Sequence, residues 1–167
     1  MKIFYQPDDC LGKLRDTVAT IGSFDGVHKG HQQILQRLSR FARAQNEPCE
    51  SVVVTFEPHP RIALAQAAGK STSDIQLLTT LDEKAYWLER YGVDNLLVVP
   101  FTAAFSAQTP ESYVRDFLYK YLRPRHLIIG YDHKFGKNRA GDIQYLRQLA
   151  PDFGFSVEEI PAQDIDN

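Results

Sequence analysis

The chain reads Val-Ala-Thr-Ile-Gly-Ser-Phe-Asp-Gly-Val-His-Lys-Gly-His at residues 18–31, and this stretch decides the fold. It begins with a short apolar run, Val18–Ile21, which is typical of a strand covered on both faces. A glycine-rich turn follows, and a helical pattern then begins. The apolar residues of that helix recur at helical spacing: Ile34, Leu35, Leu38, Phe41 and Ala42. A strand that runs through a tight turn into a helix predicts the first half of a βαβ unit.

The same alternation continues along the chain. Further strands are predicted at four apolar runs: Val52–Phe56, Leu96–Val99, Leu127–Ile129 and Phe155–Val157 with Ile160. Three further helices are predicted between them: one carries Leu81, Ala85, Leu88 and Tyr91 and ends at Gly92, one begins at Thr109-Pro110-Glu111, and one begins at Asp142. This order predicts an α/β fold, a Rossmann-like parallel sheet with helices on both faces.

One segment, Glu57–Thr80, does not fit this rhythm. Prolines crowd its start and residues 71–74 are polar. Loops of such length inside a compact domain are usually functional or disordered. We therefore expect a long loop that becomes ordered when a ligand binds.

Length and composition favour one soluble domain. The 167 residues are 43% apolar and carry a net charge of −2, which gives no reason to expect a nucleic-acid partner. The two cysteines, Cys10 and Cys49, lack the spacing of a disulfide framework or a zinc site. The chain has no signal-like N-terminus and no run of about 20 apolar residues, so we expect a cytoplasmic protein without a membrane partner.

The segment Gly22–His31 is the strongest functional signal. Glycines at the carboxyl end of a strand let backbone N–H groups approach a ligand, and the N-terminus of the following helix favours negative charge. His28 and His31 add two imidazoles at the same place. Glycine turns after strands are also common without any function, but two histidines framing a glycine there are rarer. The pair lacks an obvious third metal ligand, so a phosphate site is favoured over zinc.

The His-x-Gly-His element resembles the signature of the nucleotidylyltransferase superfamily. Residues 22–31 are closest to its form in the FMN adenylyltransferase (FAD synthetase) module of bacterial bifunctional riboflavin kinase/FAD synthetases. Thr55–Pro60 resembles that family's Thr-Phe-x-Pro-His-Pro element, and Gly130–Gly136 resembles its Gly-x-Asp-x-x-Phe-Gly element. The resemblance extends, in order, over essentially the whole chain.

The resemblance implies a reaction of ATP with FMN that gives FAD and pyrophosphate, with Mg²⁺ accompanying ATP. It implies catalytic roles for His28 and His31, which would stabilise charge as pyrophosphate leaves. It also implies that the metal is held mostly by phosphate oxygens and not by a site made of protein ligands alone. The implied ATP-binding residues are Gly22, Ser23, Phe24, Asp25, Gly26, Gly30, Gly130, Asp132 and Arg139. The implied flavin-binding residues are Pro58, His59, Pro60, Thr79 and Phe135.

Structural interpretations of these residues remain open. Taken alone, Pro58 and Pro60 are as well explained by a turn of the chain, Phe135 by a place in the core, and Asp132 by a turn. The basic residues of the range 123–139 indicate either a solvated face or a rim that faces phosphates. We expect Lys134, Lys137 and Arg139 to lie nearer the ligand than Arg123 and Arg125.

The resemblance also bears on domain organisation. Relatives continue past a stretch like Asp164–Asn167 into a Ser-Ser-Thr-x-x-Arg-type segment and a riboflavin kinase domain. We therefore expect residues 1–167 to be an adenylyltransferase domain with an incomplete C-terminal edge, linked covalently to a riboflavin kinase domain in the full-length protein. Two other functions remain possible: another nucleotidylyltransferase, or a noncatalytic flavin- or nucleotide-binding module.

Overall fold

The computed structural model describes residues 1–44 and 46–162, and the stretch Asp164–Asn167 lies outside them. The strands are β1 (Lys2–Phe4), β2 (Thr17–Ile21), β3 (Ser51–Glu57), β4 (Asn95–Pro100), β5 (Pro124–Gly130) and β6 (Ser156–Ile160). The helices are α1 (Lys29–Ala44), α2 (Pro60–Ala67), α3 (Leu81–Arg90), α4 (Ala103–Ser106), α5 (Pro110–Ser112, continued by a π-helical segment over Tyr113–Leu122) and α6 (Ile143–Phe153). All five strands predicted from apolar runs are present.

The six strands form one sheet in the order β1-β4-β3-β2-β5-β6, and every pair is parallel. The chain moves outward from β2 through β3 to β4 and then returns to place β5 on the other side of β2. This reversal makes the carboxyl ends of β2 and β5 a topological switch point, where open α/β sheets bind ligands. The predicted Rossmann-like parallel sheet is confirmed.

Both faces of the sheet are covered, which explains the continuous apolar runs. Leu96 and Leu97 are neighbours on β4, are both 0% exposed, and belong to two different core clusters. Helices α1 and α3 pack on the face that includes Leu96, and α5 and α6 pack on the face that includes Leu97. A strand buried on both sides has no polar face, so its sequence does not alternate.

Local signals fix the helix ends. Thr80 and Glu83 form a capping box at the start of α3, and the side chains of Thr109 and Asp142 cap α5 and α6. The predicted helix starts at Thr109 and Asp142 are therefore confirmed. Among the helices of the described residues, none combines the length and the apolar character that a membrane crossing requires.

The interpretation of Glu57–Thr80 as a long loop is wrong in part, because α2 lies inside it. His59 caps this helix, with its Nδ1 accepting a hydrogen bond from the Arg61 amide, and Pro60 is its first residue. No residue of α2 is fully buried, so the helix has no apolar stripe that a periodicity search would detect. Strand β1 was missed for a related reason, since its three residues are too few to form a recognisable run.

Candidate active site

The switch point brings two loops together. One loop follows β2 and contains residues 22–31, and the other follows β5 and contains residues 130–136. Ile34 of α1 lies 3.6 Å from the position that a Cβ on Gly130 would occupy, so the first helix packs directly beside the second loop. Residues 22–31 and 130–136, two of the sequence motifs that carry the family resemblance, are thus neighbours in the fold.

The backbone after β2 makes an unusually tight turn. Phe24, Gly26 and Val27 have φ angles of 50°, 78° and 41°, in the left-handed region that a β-branched residue such as Val27 rarely adopts. Strain of this kind persists only where the surroundings impose it, and it clusters at functional sites. The Phe24 side chain is 1% exposed and sits in the core, where it anchors the turn. Of Phe24, predicted to bind ATP, only the backbone is therefore free to contact a ligand.

His28 and His31 lie together at the start of α1. Their rings stack with centroids 3.6 Å apart and planes 23° apart. His28 is exposed, whereas burial and then the neighbouring His28 lower the pKa of His31 to about 4. The Nδ1 atom of His31 is buried and has no hydrogen-bond partner among the described residues. The site therefore holds an imidazole whose lowered pKa favours the neutral form and whose Nδ1 is enclosed by the protein without a hydrogen-bond partner in the described part of the chain.

Asp25 ties this loop to the segment before α3. Its Oδ1 accepts hydrogen bonds from the Leu78 and Thr79 amides at 2.8 and 3.0 Å and from the Thr79 hydroxyl at 3.2 Å. The Thr79 hydroxyl in turn accepts from the Gly26 amide at 3.2 Å. Burial raises the pKa of Asp25, but the hydrogen bonds from Thr79 and Leu78 outweigh it and lower the pKa overall. These contacts give Asp25 and Thr79 a structural link between their two segments.

The second loop contributes charge and a core anchor. Asp132 is exposed, and its carboxylate acts to raise the pKa of His31. The charge of Asp132 on the second loop therefore acts on a residue at the end of the first loop. Phe135 is 5% exposed and stacks on Tyr113, with ring centroids 4.7 Å apart. A Cβ on Gly141 would lie 2.4 Å from the Phe135 ring, so the glycine makes room for it. Phe135 therefore packs as a core residue, and it offers no open ring face for a flavin in this conformation.

The predicted basic rim lies on the same loop. Lys137 and Arg139 are exposed in a short helical turn, whereas the Lys134 Nζ lies 3.9 Å from the Asp142 carboxylate. Lys134 is therefore partly committed to pairing with Asp142, the residue that caps α6. The other two side chains are open to solvent and to any ligand at the switch point.

The predicted flavin-side residues line the neighbouring edge of the sheet. Pro58, His59 and Pro60 lead from β3 into α2, so the chain-turning interpretation of the two prolines holds beside any binding role. Burial lowers the pKa of His59, opposed by Asp25. A cavity of about 530 Å³ opens beside them and is lined by Glu57, Leu77, Leu78, Thr79, Thr80, Leu81 and Glu83.

Two features of the site were missed in the sequence. Lys84 is 5% exposed, and its Nζ donates to the Thr55 hydroxyl at 3.2 Å. The signal was available, because Lys84 falls on the apolar stripe of α3 at helical spacing from Leu81 and Leu88. Aromatic rings of Phe56, Phe101 and Phe105 also meet where β3 and β4 end. Phe56 is distant in sequence from Phe101 and Phe105, so no local pattern unites all three rings.

Metal-binding capacity is limited. Within residues 1–44 and 46–162, no three His, Cys, Asp or Glu side chains are grouped so as to hold a metal ion.

A comparison with protein families decides the classification of this site. The profile of the family described as FAD synthetase matches residues 11–167. The chain belongs to the FAD synthetase family. The match includes both loops of the switch point, and His28, His31 and Asp132 lie within the matched residues.

Curated relatives agree with this assignment. The chain is 39% identical over 140 residues to the bifunctional riboflavin kinase/FMN adenylyltransferase of Escherichia coli (strain K12), covering 84% of this chain and 42% of that protein. It is 37% identical over 147 residues to the FAD synthetase of Listeria monocytogenes, covering 88% of this chain and 56% of that protein. The chain thus spans about half the length of these relatives.

A solved structure shares the fold. The crystal structure of a protein described as a macrolide-efflux protein from Streptococcus pneumoniae superposes with a TM-score of 0.78 at 26% identity. The alignment covers 98% of this chain and 52% of that one. The fold of this chain is therefore found in an experimental structure across nearly its whole length.

Proposed function

We propose that this chain transfers the AMP moiety of ATP to FMN, giving FAD and pyrophosphate, as a module of a protein that also carries a riboflavin kinase domain. The observation that carries the proposal is the pairing at one switch point of a strained glycine loop with stacked His28 and His31, inside a region that matches the FAD synthetase family. The relatives' names, which include FMN adenylyltransferase, support the same reaction.

This chemistry requires little acid–base catalysis. The nucleophile is a phosphate oxygen of FMN, and a phosphomonoester is largely dianionic at pH 7 because its second pKa is about 6. No proton has to be removed from it. The enzyme must instead align two polyanions and stabilise the charge that develops on pyrophosphate, so catalysis depends on positioning and electrostatics.

The residues of the site suit these tasks. The backbone amides of Gly22–His31 and the start of α1 would hold the ATP phosphates. His28, which is exposed, and His31, which stacks on it, would stabilise the charge on the phosphate oxygens that leave. When bound with ATP, Mg²⁺ supplies positive charge at those oxygens, and Asp132 would contribute an oxygen ligand. Residues 58–60 and Thr79, beside the cavity of about 530 Å³, would face the flavin.

The test is a direct assay of the purified chain. ATP–Mg²⁺ and FMN are supplied, FAD is quantified by chromatography, and CTP replaces ATP in a parallel reaction. We expect FAD and pyrophosphate in equal amounts with ATP and no product with CTP, and loss of both products in a His28→Ala/His31→Ala double variant. Product with CTP would indicate a different nucleotidylyltransferase. Binding of both substrates without FAD would indicate a binding module.

A further inference from the structure

Lys84 occupies a position that favours an apolar side chain. It lies on the stripe of α3 that packs against the sheet, between Leu81 and Leu88, and is 5% exposed. Its Nζ makes one hydrogen bond in the described part of the chain, to the Thr55 hydroxyl at 3.2 Å, and no carboxylate there lies within salt-bridge distance. An ammonium group has three protons to donate.

Such an arrangement does not stabilise the fold. A buried charge without a paired opposite charge costs free energy, and a well-packed apolar residue of similar volume is often neutral or more stable there. Residues that break the local pattern at a cost in stability are expected at functional sites. Lys84 therefore calls for a role other than folding.

The position of its charge indicates that role. Thr55, which accepts from Lys84, donates its own proton to the Ser23 carbonyl oxygen at 3.1 Å, so one hydroxyl separates the ammonium from the glycine loop. The charge of Lys84 acts to lower the pKa of both His31 and His59. Its field thus reaches the predicted phosphate side and the predicted flavin side of the site.

We propose that the Lys84 ammonium is a fixed counter-charge for the polyphosphate bound on residues 22–31, which makes Lys84 a specificity-determining residue for the number of phosphates on the nucleotide. The proposal rests on the proposed function, because it takes ATP as the ligand of that loop. Without the anion the buried ammonium has no carboxylate within salt-bridge distance in the described residues, although Asp25 and Glu57 act on it from farther away, and the bound anion adds a counter-charge.

The test measures how affinity depends on phosphate number. Calorimetry at one salt and Mg²⁺ concentration gives Kd values for ATP, ADP, AMP and adenosine with the wild-type chain and four variants. Lys84→Met and Lys84→Gln remove the charge, and Lys84→Arg retains it. Lys2→Met removes one charge from an exposed lysine at the amino end of β1, the opposite edge of the sheet, and is the matched control.

We expect both neutral variants to lose about tenfold or more in ATP affinity, with progressively smaller losses for ADP and AMP and almost none for adenosine. Lys84→Arg should stay within a few-fold of wild type, and Lys2→Met should be unchanged. Thermal unfolding should show that Lys84→Met is at least as stable as wild type. Equal losses for all four ligands, or no loss for ATP, would overturn the proposal.

The FAD assay keeps this test separate from that of the proposed function. If the chain binds ATP with the expected dependence on Lys84 but makes no FAD, the counter-charge stands and the transfer reaction fails. If FAD is formed while the neutral variants bind ATP normally, the reaction stands and the role of Lys84 fails.

Discussion

Burial, more than ion pairing, sets the properties of the individual side chains at the switch point. Burial lowers the pKa of His31 and of Lys84, although Asp25 opposes it in both. Both residues retain unused hydrogen-bonding capacity in the described structure. A ligand that brings negative charge would satisfy both at once, since an anion nearby favours the protonated form of each.

Replacing His31 tests the site at this scale. We expect His31→Ala to slow adenylyl transfer by about a hundred- to a thousandfold, since one donor to a developing oxyanion contributes about 2.7–4 kcal/mol to the transition state. FMN affinity should change little, because the imidazole lies on the proposed phosphate side of the site. Steady-state kinetics and calorimetric titration with FMN measure the two effects.

His31→Gln, which keeps a donor, serves as the comparison and should retain more turnover than the alanine variant. A His31→Ala protein with more than about a tenth of wild-type turnover would assign His31 a structural role only.

Buried histidines also predict how stability depends on pH. Burial lowers the pKa of His31 and of His133 to about 4, below the value of about 6.5 in an unfolded chain. The unfolded state therefore binds more protons as the pH falls below 6.5. Stability is complete above that pH and is lost towards pH 4, with a limiting slope of about 1.4 kcal/mol per pH unit for each histidine.

Urea unfolding of wild type and of His133→Leu between pH 7.5 and 4.5 checks this expectation. The variant should lose less stability on acidification, because one of the two histidines no longer titrates. Carboxylates with lowered pKa values contribute equally to both proteins, so the difference isolates His133. Parallel curves would show that His133 does not contribute.

At the scale of elements, the segment between α2 and α3 is held by few contacts. Leu78 is 74% exposed, and the amides of Leu78 and Thr79 are bound by Asp25 of the other loop. Few buried apolar contacts and bonds that depend on one carboxylate mark a segment of low local stability. The link nevertheless joins the predicted phosphate and flavin sides, so ordering one side should favour the other.

Hydrogen exchange tests this link. Thr79→Val removes the hydroxyl that donates to Asp25 and accepts from the Gly26 amide, so exchange should accelerate over residues 77–80 and around Gly26. Thr72→Val makes the same chemical change elsewhere in the segment and is the control. In wild type, FMN should slow exchange over residues 57–80. Equal exchange with and without FMN would show a fixed scaffold.

The whole molecule is organised by a sheet that separates two cores. The four central strands, β2 to β5, each contribute buried residues to both clusters, so neither cluster can lose its packing without exposing the shared strands. Unfolding of such a domain is expected to be cooperative. The geometry of the candidate site depends on this cooperative packing, because its two loops begin at the carboxyl ends of β2 and β5 in the centre of the sheet.

Two neighbouring substitutions test this coupling. Leu96→Ala and Leu97→Ala each create a cavity on one face, and each should lower the free energy of unfolding by about 2–5 kcal/mol. Both should unfold in one transition that is the same by far-ultraviolet circular dichroism and by fluorescence of Trp87, the single tryptophan, on α3. Separate transitions in Leu96→Ala would mean that the α1/α3 layer unfolds by itself.

The amino-acid sequence was enough to predict the fold class, and it singled out the candidate site at residues 22–31. Val52–Val54 are apolar without a break because both faces of β3 are buried, and Thr109 and Asp142 indicate helix starts because capping is local. The glycines and histidines of residues 22–31 are contiguous in the chain, so their meeting at the end of β2 required no knowledge of tertiary structure. Strand β1 and helix α2 could not be predicted from the sequence, because β1 is short, α2 is exposed, and neither presents a periodic apolar face.

Contacts between side chains that are distant in sequence could not be predicted and are seen only in the tertiary structure. It pairs Asp25 with Thr79 and packs Phe135 against Tyr113. It also links Lys84 to the Ser23 carbonyl oxygen by hydrogen bonds through the Thr55 hydroxyl. Propensity and periodicity act over a few residues, whereas these contacts depend on strand order and on the face each helix covers. A buried lysine and a core phenylalanine have the same letters in the sequence as a surface lysine and an exposed ring. Their environments differ because the parallel sheet brings distant segments to one edge.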